Sequence, residues 1–291
     1  MNILQLRCLV AIADEGSFSR AGLRLGMSQP AVSLQIRRLE ERLGDAVFLR
    51  EGRRVTLTLL GEAILPHARE ALRAIGDIET TAEHLRGAVT GSVAFGTIPG
   101  CGGMNVPEML ARFHQSYPLV SLHLTEATAD DLIRQVTRHE LDGAIVATAA
   151  PSSHGLPHRV LRRSRLVAVA PAGHPLASTS AIRTRELLEH ELMCTPEGSG
   201  IRAALESATA ALGAYLRVRY ESSTPDMLVE LAALGLGVAV VPDDDTLRAR
   251  GDIAVIDVFE PIVTGNIELI WTSQSAVSPP VRELLQLARE L

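Results

Sequence analysis

Lysine is missing from this chain; every one of the 28 basic residues is arginine, a bias from which no function is read. Aromatic residues are scarce too, at 3%, so a large stacking cage for a planar ligand is not expected. Cys8, Cys101 and Cys194 are too few and too scattered for a disulfide scaffold. No apolar run approaches the roughly 18 residues of a membrane span. The opening MNILQLRCLVAIADEGSF lacks a basic lead and a small-residue cleavage site, and Asp14 and Glu15 follow at once. It reads as a first helix of a cytoplasmic protein. Enzyme signatures are missing as well. His190-Glu191-Leu192-Met193-Cys194 fails the HExxH zinc pattern at its last position, and Gly235-Leu236-Gly237 precedes a strand, the reverse of a dinucleotide fingerprint. There is no GxSxG elbow or P-loop, and no nucleophile–base pair stands out. No catalysis, cofactor or metal is expected.

What is present begins with Ser17 to Leu43, SFSRAGLRLGMSQPAVSLQIRRLEERL. Ser17 is a candidate N-cap for a short helix carrying Phe18, Ala21 and Leu25, and Gly26 can take the left-handed conformation that ends it. Ser28 caps a second helix whose first turn tolerates Pro30. Val32, Ile36, Leu39 and Leu43 form one buried stripe. At about 100° per residue, Pro30, Ser33, Leu34, Arg37, Arg38 and Glu41 fall opposite, with Gln29 and Gln35 on the flanks. Amides, hydroxyls and guanidinium groups suit base edges and phosphates. An amphipathic surface helix would show the same stripe, so the neighbours decide. FLREGRRVTLT, Phe48 to Thr58, reads as a hairpin with Arg50, Arg53 and Arg54 at its tip. Residues 1–60 hold nine Arg against six Asp plus Glu, while the whole chain is −6. A basic module on an acidic chain points to a reader of double-stranded DNA.

A long helix follows from a Thr58 cap to about Arg86. Ile64, Ala68, Ala71, Ile75, Ile78, Ala82 and Leu85 alternate steps of four and three, an a/d seam over three repeats. Such a seam calls for a partner helix and so a dimer; packing against its own domain is the other reading. Pro66 near the start is expected to bend the helix or shift its first turn.

Beyond Ser92, short β-branched runs alternate with helical stretches in two series. Repeated βα units predict parallel sheets covered by helices, and two series predict two lobes. The chain is expected to cross near Arg162–Arg165 and return near Gly265, leaving a crevice between the lobes for a small ligand. The expected layout is a DNA-binding domain over 1–58, a linker helix over 59–90 and a sensor over 91–291. Lobe I takes 91–163 and 266–291, and lobe II takes 164–265.

GSFSRAGLRLGMSQPAVSLQIRRLEERLG and FLREGRRVTLTLLGE resemble the winged helix-turn-helix and linker of LysR-type transcriptional regulators. LARFHQSYP, LDGAIV, HPLA, PEGSGIR and ALGLGVAVVP resemble segments of that family's sensor, in the same order. The resemblance spans the chain and implies a winged helix-turn-helix, a long linker helix and an α/β two-lobed sensor of the periplasmic-binding-protein-like type 2 fold. It also implies a homodimer or homotetramer on promoter DNA of a bacterial cell, contact with RNA polymerase, and a small-molecule effector between the lobes. Carried over, Ser28, Gln29, Pro30, Ser33 and Arg37 face the groove, and Arg38, Arg50, Arg53 and Arg54 face the backbone. Two positions depart from the pattern. Gly22 stands where alanine is usual, at a cost of about 1 kcal/mol in helix propensity unless packing needs it. Leu34 replaces a polar or basic residue.

Strand ends supply the candidate effector site: Thr97, Ile98, Pro99, Gly100, Cys101 and Gly102, then Thr128, Thr148, Thr195, Glu197, Ser199, Gly200, Ser223 and Thr224. Several lie at helix N-termini, where free N–H groups favour anions. The effector is therefore expected to be a small carboxylate. Hydroxyls at helix starts also serve simply as caps. Two other readings are a solute-binding protein of a transport system, which the basic N-terminal module disfavours, and redox sensing through Cys101 and Cys194.

Overall fold

The computed structural model describes residues 1–51, 54–84, 89–100, 104–149, 154–272 and 278–291. Helix ends near the N-terminus are fixed by local chemistry. Asn2 and Gln5 form a reciprocal capping box on α1 (Ile3–Glu15), and Gly16 closes it in the left-handed region. Ser17 caps α2 (Phe18–Leu25), and Ser28 caps α3 (Gln29–Leu43) with Pro30 in its first turn. Val32, Ile36 and Leu39 are fully buried against Leu9, Ile12 and Ala21, whereas Leu43, expected in the same stripe, is 38% exposed at the end of the helix. The wing follows as β1 (Phe48–Glu51) and β2 (Arg54–Leu57), antiparallel from Phe48↔Leu57 to Glu51↔Arg54.

Gly22 is explained by packing. A Cβ there would sit 2.7 Å from the Met27 carbonyl oxygen, and the Met27 N–H donates to the Gly22 carbonyl at 2.8 Å. The α2–α3 turn needs this close approach, which outweighs the propensity gain of alanine. Gly22→Ala should therefore lower the melting temperature of the DNA-binding domain, although propensity alone would raise stability by about 1 kcal/mol. A higher midpoint in thermal denaturation would contradict the steric account.

Helix α4 (Leu59–His84) begins where the Thr58 hydroxyl accepts the Gly61 N–H at 3.0 Å. Its 26 residues make it about 39 Å long. Pro66 lies inside it.

The sensor is a continuous path of strands, β4-β3-β5-β12-β6-β10-β8-β9, with β11 joining β6 and β7. Lobe I holds β3 (Gly91–Thr97), α5 (Val106–Ser116), β4 (Val120–Glu126), α6 (Ala129–Thr137), β5 (Gly143–Ala149), the returning β12 (Thr264–Trp271) and α11 (Pro279–Ala288). Lobe II holds β7 (Ala181–Arg183), α7 (Thr184–Leu187), β8 (Leu192–Cys194), α8 (Gly200–Ala211), β9 (Val218–Glu221), α9 (Pro225–Ala233), β10 (Val238–Pro242), α10 (Asp245–Arg248) and β11 (Ile253–Phe259). Strand β6 (His158–Pro171) serves both. Its first half pairs with β12 as far as Arg165↔Thr264; from Leu166 it pairs with β10. The switch of lobe thus falls two residues beyond the expected 163/164.

The parallel sheets expected from the βα repeats are mixed instead. β3 pairs parallel with β4 and β5, and β8 parallel with β9 and β10. β12 runs antiparallel to β5 and β6, while β10 and β11 run antiparallel to β6. The reason lies in β6 and β12. They enter each lobe from the other one, so the crossing sets their direction rather than a covering helix. The first half of β6, HRVLRRSR, shows no apolar alternation and reads in the sequence as a connection; its pairing partners make it a strand. Cores lie on both faces, around Phe95, Phe113 and Leu284 in lobe I and around Leu187, Leu205 and Val240 in lobe II.

Candidate nucleic-acid interface and effector cleft

Burial of the Val32–Ile36–Leu39 stripe turns the opposite side of α3 outward. Ser28, Gln29, Pro30, Arg37 and Arg38 are exposed, and Ser33 is half-buried. The Gln29 side-chain amide donates to the Ser33 hydroxyl at 2.9 Å, which holds two base-reading candidates side by side. The Ser28 hydroxyl accepts the Ala31 N–H at 3.4 Å, so that side chain is a helix cap. Pro30, Ser33, Leu34 and Arg37 line a groove of about 740 Å³ that Phe48 and Leu49 of the wing close on its other side. Leu34 is 45% exposed there, an apolar contact rather than a polar one. Arg50 and Arg54 fall on the wing strands, and Arg53 lies outside the described residues.

The a/d seam divides. Ile64, Ala68 and Ala71 pack with Leu65 and Leu72 against the core of the DNA-binding domain, and Ala68 is only 4% exposed. At these positions α1 and the wing pack on one side of α4, because α4 must dock on the domain it leaves, while Ile64 and Ala71 stay half-buried. Ile75 is half-buried, Ile78 is 70% exposed and Ala82 is exposed. Leu85 lies outside the described residues.

Between these domains runs a chain of ion pairs that the sequence did not announce. The Arg69 guanidinium, 11% exposed, pairs with Asp14 at the end of α1 at 2.6 Å and with Glu140 of lobe I. One turn on, Arg73 pairs with Asp142 at 2.6 Å and donates to the Thr272 hydroxyl at 3.0 Å. The other Asp142 oxygen accepts the Ala94 N–H at 2.9 Å. Burial, with Arg73 alongside, holds the His139 imidazole below its ordinary value, and burial pushes the Asp77 carboxyl up. The linker helix is therefore bolted to lobe I by buried charge. Periodicity cannot reveal such contacts, since their partners lie some seventy residues away.

Between the lobes lies a cleft of about 520 Å³. Ile98, Pro99, Gly100, Thr128, Thr195, Ser199, Gly200, Ser223 and Thr224 all line it. Three helices start at its wall. Ser199 caps α8, Thr128 caps α6, and Thr224 stands at the N-cap of α9 without a side-chain cap hydrogen bond. The Thr195 and Ser199 hydroxyls are hydrogen-bonded to each other. Gly200 is required by proximity. A Cβ there would fall far inside van der Waals contact of both the carbonyl carbon and oxygen of Ala147, so the start of α8 rests directly on β5. Nearby, the Asp130 N–H donates to the Gly198 carbonyl at 3.0 Å, a second clasp between lobes.

Three expected contacts do not reach the cleft. The Thr97 hydroxyl donates to the Ile98 carbonyl. Thr148 lines a neighbouring pocket of about 300 Å³ with His154. Glu197, its side chain 84% exposed, turns toward Arg202. Arg202 attracts it because this buried guanidinium also pairs with Glu206 and Glu221. Cys101 and Gly102 lie outside the described residues. Cys194 is fully buried, and burial pushes its thiol up to about 11, so it holds almost no thiolate at neutral pH.

Sequence reading missed Glu126, Asp131 and Arg162, which also line the cleft. It missed as well a buried group in the hinge strand β12. Glu268 is fully buried, accepts from the Asn266 side-chain amide at 3.0 Å and lies 3.0 Å from the His154 imidazole. A carboxylate inside the apolar run NIELIW was the available signal. Among the described residues no helix is long and apolar enough to cross a membrane, and no cluster of His, Cys, Asp and Glu is arranged to hold a metal.

Comparison with known proteins agrees with this geometry. Residues 3–62 match the model of the bacterial regulatory helix-turn-helix proteins of the lysR family, and residues 86–291 match that of the LysR substrate binding domain. The HTH-type transcriptional regulator IlvR of Caulobacter vibrioides is 30% identical over 298 residues, covering all of this chain and 98% of that protein. In fold, the chain is similar to a full-length OxyR variant from Pseudomonas aeruginosa, with a TM-score of 0.74 at 24% identity over 100% of this chain and 94% of that one. It is also similar to full-length CbnR in complex with its target DNA, with a TM-score of 0.59 at 22% identity over 100% and 99% of the two chains. These relatives are regulators rather than enzymes, and with the two family models together matching most of its length, the chain belongs to the LysR family of DNA-binding transcriptional regulators.

Proposed function

We propose that this regulator binds promoter DNA in the cytoplasm as a homodimer or homotetramer and contacts RNA polymerase there. A small carboxylate held in the inter-lobe cleft changes its arrangement on the DNA. The observation that carries this reading is the cleft itself: three helix starts converge on a cavity walled by both lobes, so an anion there favours one relative placement of the lobes. Lobe I is in turn tied to α4 through Arg73 and to α1 through Arg69, which gives the placement a route to the DNA-binding domain.

On the DNA side, Arg38 is assigned to phosphate and Gln29 to base edges. Arg38→Gln should weaken binding to every sequence and reduce the slope of log K against log salt by about 0.9. Gln29→Ala should leave that slope alone and relax sequence preference, at about 1–3 kcal/mol of discrimination. Fluorescence anisotropy with the DNA upstream of its own gene and a scrambled duplex measures both. An unchanged salt slope in Arg38→Gln removes that residue from the backbone contacts. If the intact protein ignores the promoter fragment at low salt, the regulatory reading fails.

A further inference from the structure

Taking the cleft as the effector site, the charges left over on its wall narrow the ligand. Three charged side chains line it: Glu126 at the end of β4, Asp131 on α6 and Arg162 on β6. The Asp131 carboxylate is already answered, by the Thr128 hydroxyl at 2.7 Å and by Arg134. Glu126 makes no ion pair with a described residue. Neither does Arg162, which feels the field of the Asp244 carboxylate, itself occupied by the Thr246 N–H at 2.7 Å. One negative and one positive group therefore remain without an ion-pair partner on the lining, both of them exposed and open to a ligand. A simple anion answers Arg162 and the helix starts but brings like charge into a cavity that already holds Glu126. A simple amine leaves the helix starts unanswered. Beside the hydroxyls of Thr128, Thr195, Ser199, Ser223 and Thr224, the wall carries an apolar part built from Ile98, Met104, Ile201 and Ile267, and none of the lining residues is aromatic.

We propose that the cleft takes an aliphatic amino carboxylate, its carboxylate toward Arg162 and the starts of α8 and α9, its ammonium toward Glu126. The cleft, about 520 Å³, admits a molecule of that size with room left for water. The apolar wall takes the hydrocarbon body, and the two unanswered charges fix which end faces which lobe.

The test is calorimetric titration of the full chain with three matched sets of three to six carbons: linear and branched amino carboxylates, the same acids without the amine, and the same amines without the carboxylate. The expected result is that the best amino carboxylate binds at least tenfold more tightly than either of its matched compounds. Glu126→Gln should then bring the amino carboxylate within threefold of its matched acid. Acids that bind as tightly as their amino counterparts, or a preference unchanged in Glu126→Gln, overturn the zwitterion while leaving the cleft as a carboxylate sensor. Amines alone binding tightly, or no compound of any set binding, overturns the zwitterion and the carboxylate reading together.

Discussion

Arg73→Met should lower the stability of the sensor by about 3 kcal/mol and loosen its hold on the linker helix, leaving the Arg69–Glu140 pair as the remaining ion-pair tie between them among the described residues. The magnitude follows from what the substitution leaves behind. The Asp142 side chain is 11% exposed, and its only cation among the described residues is Arg73, at 2.6 Å. Removing one partner of a buried pair strands the other charge, which typically costs about 3–5 kcal/mol. The Ala94 N–H still solvates one oxygen, so the lower end of that range applies. The Thr272 hydroxyl loses its donor as well. In a domain of this size about 3 kcal/mol is a drop of roughly 6–12 °C in the thermal midpoint, measured by circular dichroism. The double variant Arg73→Met with Asp142→Asn should recover more than half of the loss, because the asparagine keeps an acceptor for Ala94 and carries no stranded charge. If the double variant is as unstable as the sum of its single changes, the pair is not the source of the effect. Hydrogen exchange over 69–77 should rise in the single variant, since one of these two ion pairs between α4 and lobe I is gone.

The second large effect is at Gly200. Gly200→Ala should shift the response to effector to roughly ten- to a hundredfold higher concentration while leaving DNA affinity within about twofold. The added Cβ collides with two backbone atoms of Ala147, and no side-chain rotation relieves a clash with main chain. Either α8 or β5 must retreat. Overpacking of this kind costs about 1–3 kcal/mol. Because the strain falls on contact between the lobes that wall the cleft, it displaces α8 from β5 and should lower effector affinity by roughly ten- to a hundredfold. The DNA-reading groups lie on α3, in a separate core, and are untouched. Titration and anisotropy on the same preparation check both halves. Wild-type affinity in Gly200→Ala would mean that the lobes do not close on this contact.

How much of this was legible in the residues varies by element. Ser17, Gly26, Ser28 and the Val32–Ile36–Leu39 spacing determined the helix-turn-helix by themselves, because caps and amphipathic stripes are chemistry within one or two turns. The order of sensor elements was legible for the same reason, and with it most of the cleft's hydroxyl-bearing wall, since strand ends followed by helix starts are local features. What only the tertiary structure decided is everything set by distant pairing. The polar first half of β6 is a strand because β12 lies beside it. The first half of the α4 seam packs on its own domain, with Ala68 fully enclosed there. Glu197 is drawn off by Arg202, and Arg69 and Arg73 find their carboxylates on lobe I some seventy residues downstream. Short-range order is written in spacing and capping, which the chain carries with it. Charge pairing, strand direction and the fit of Gly200 against Ala147 depend on which surfaces meet, and that is a property of the folded molecule alone.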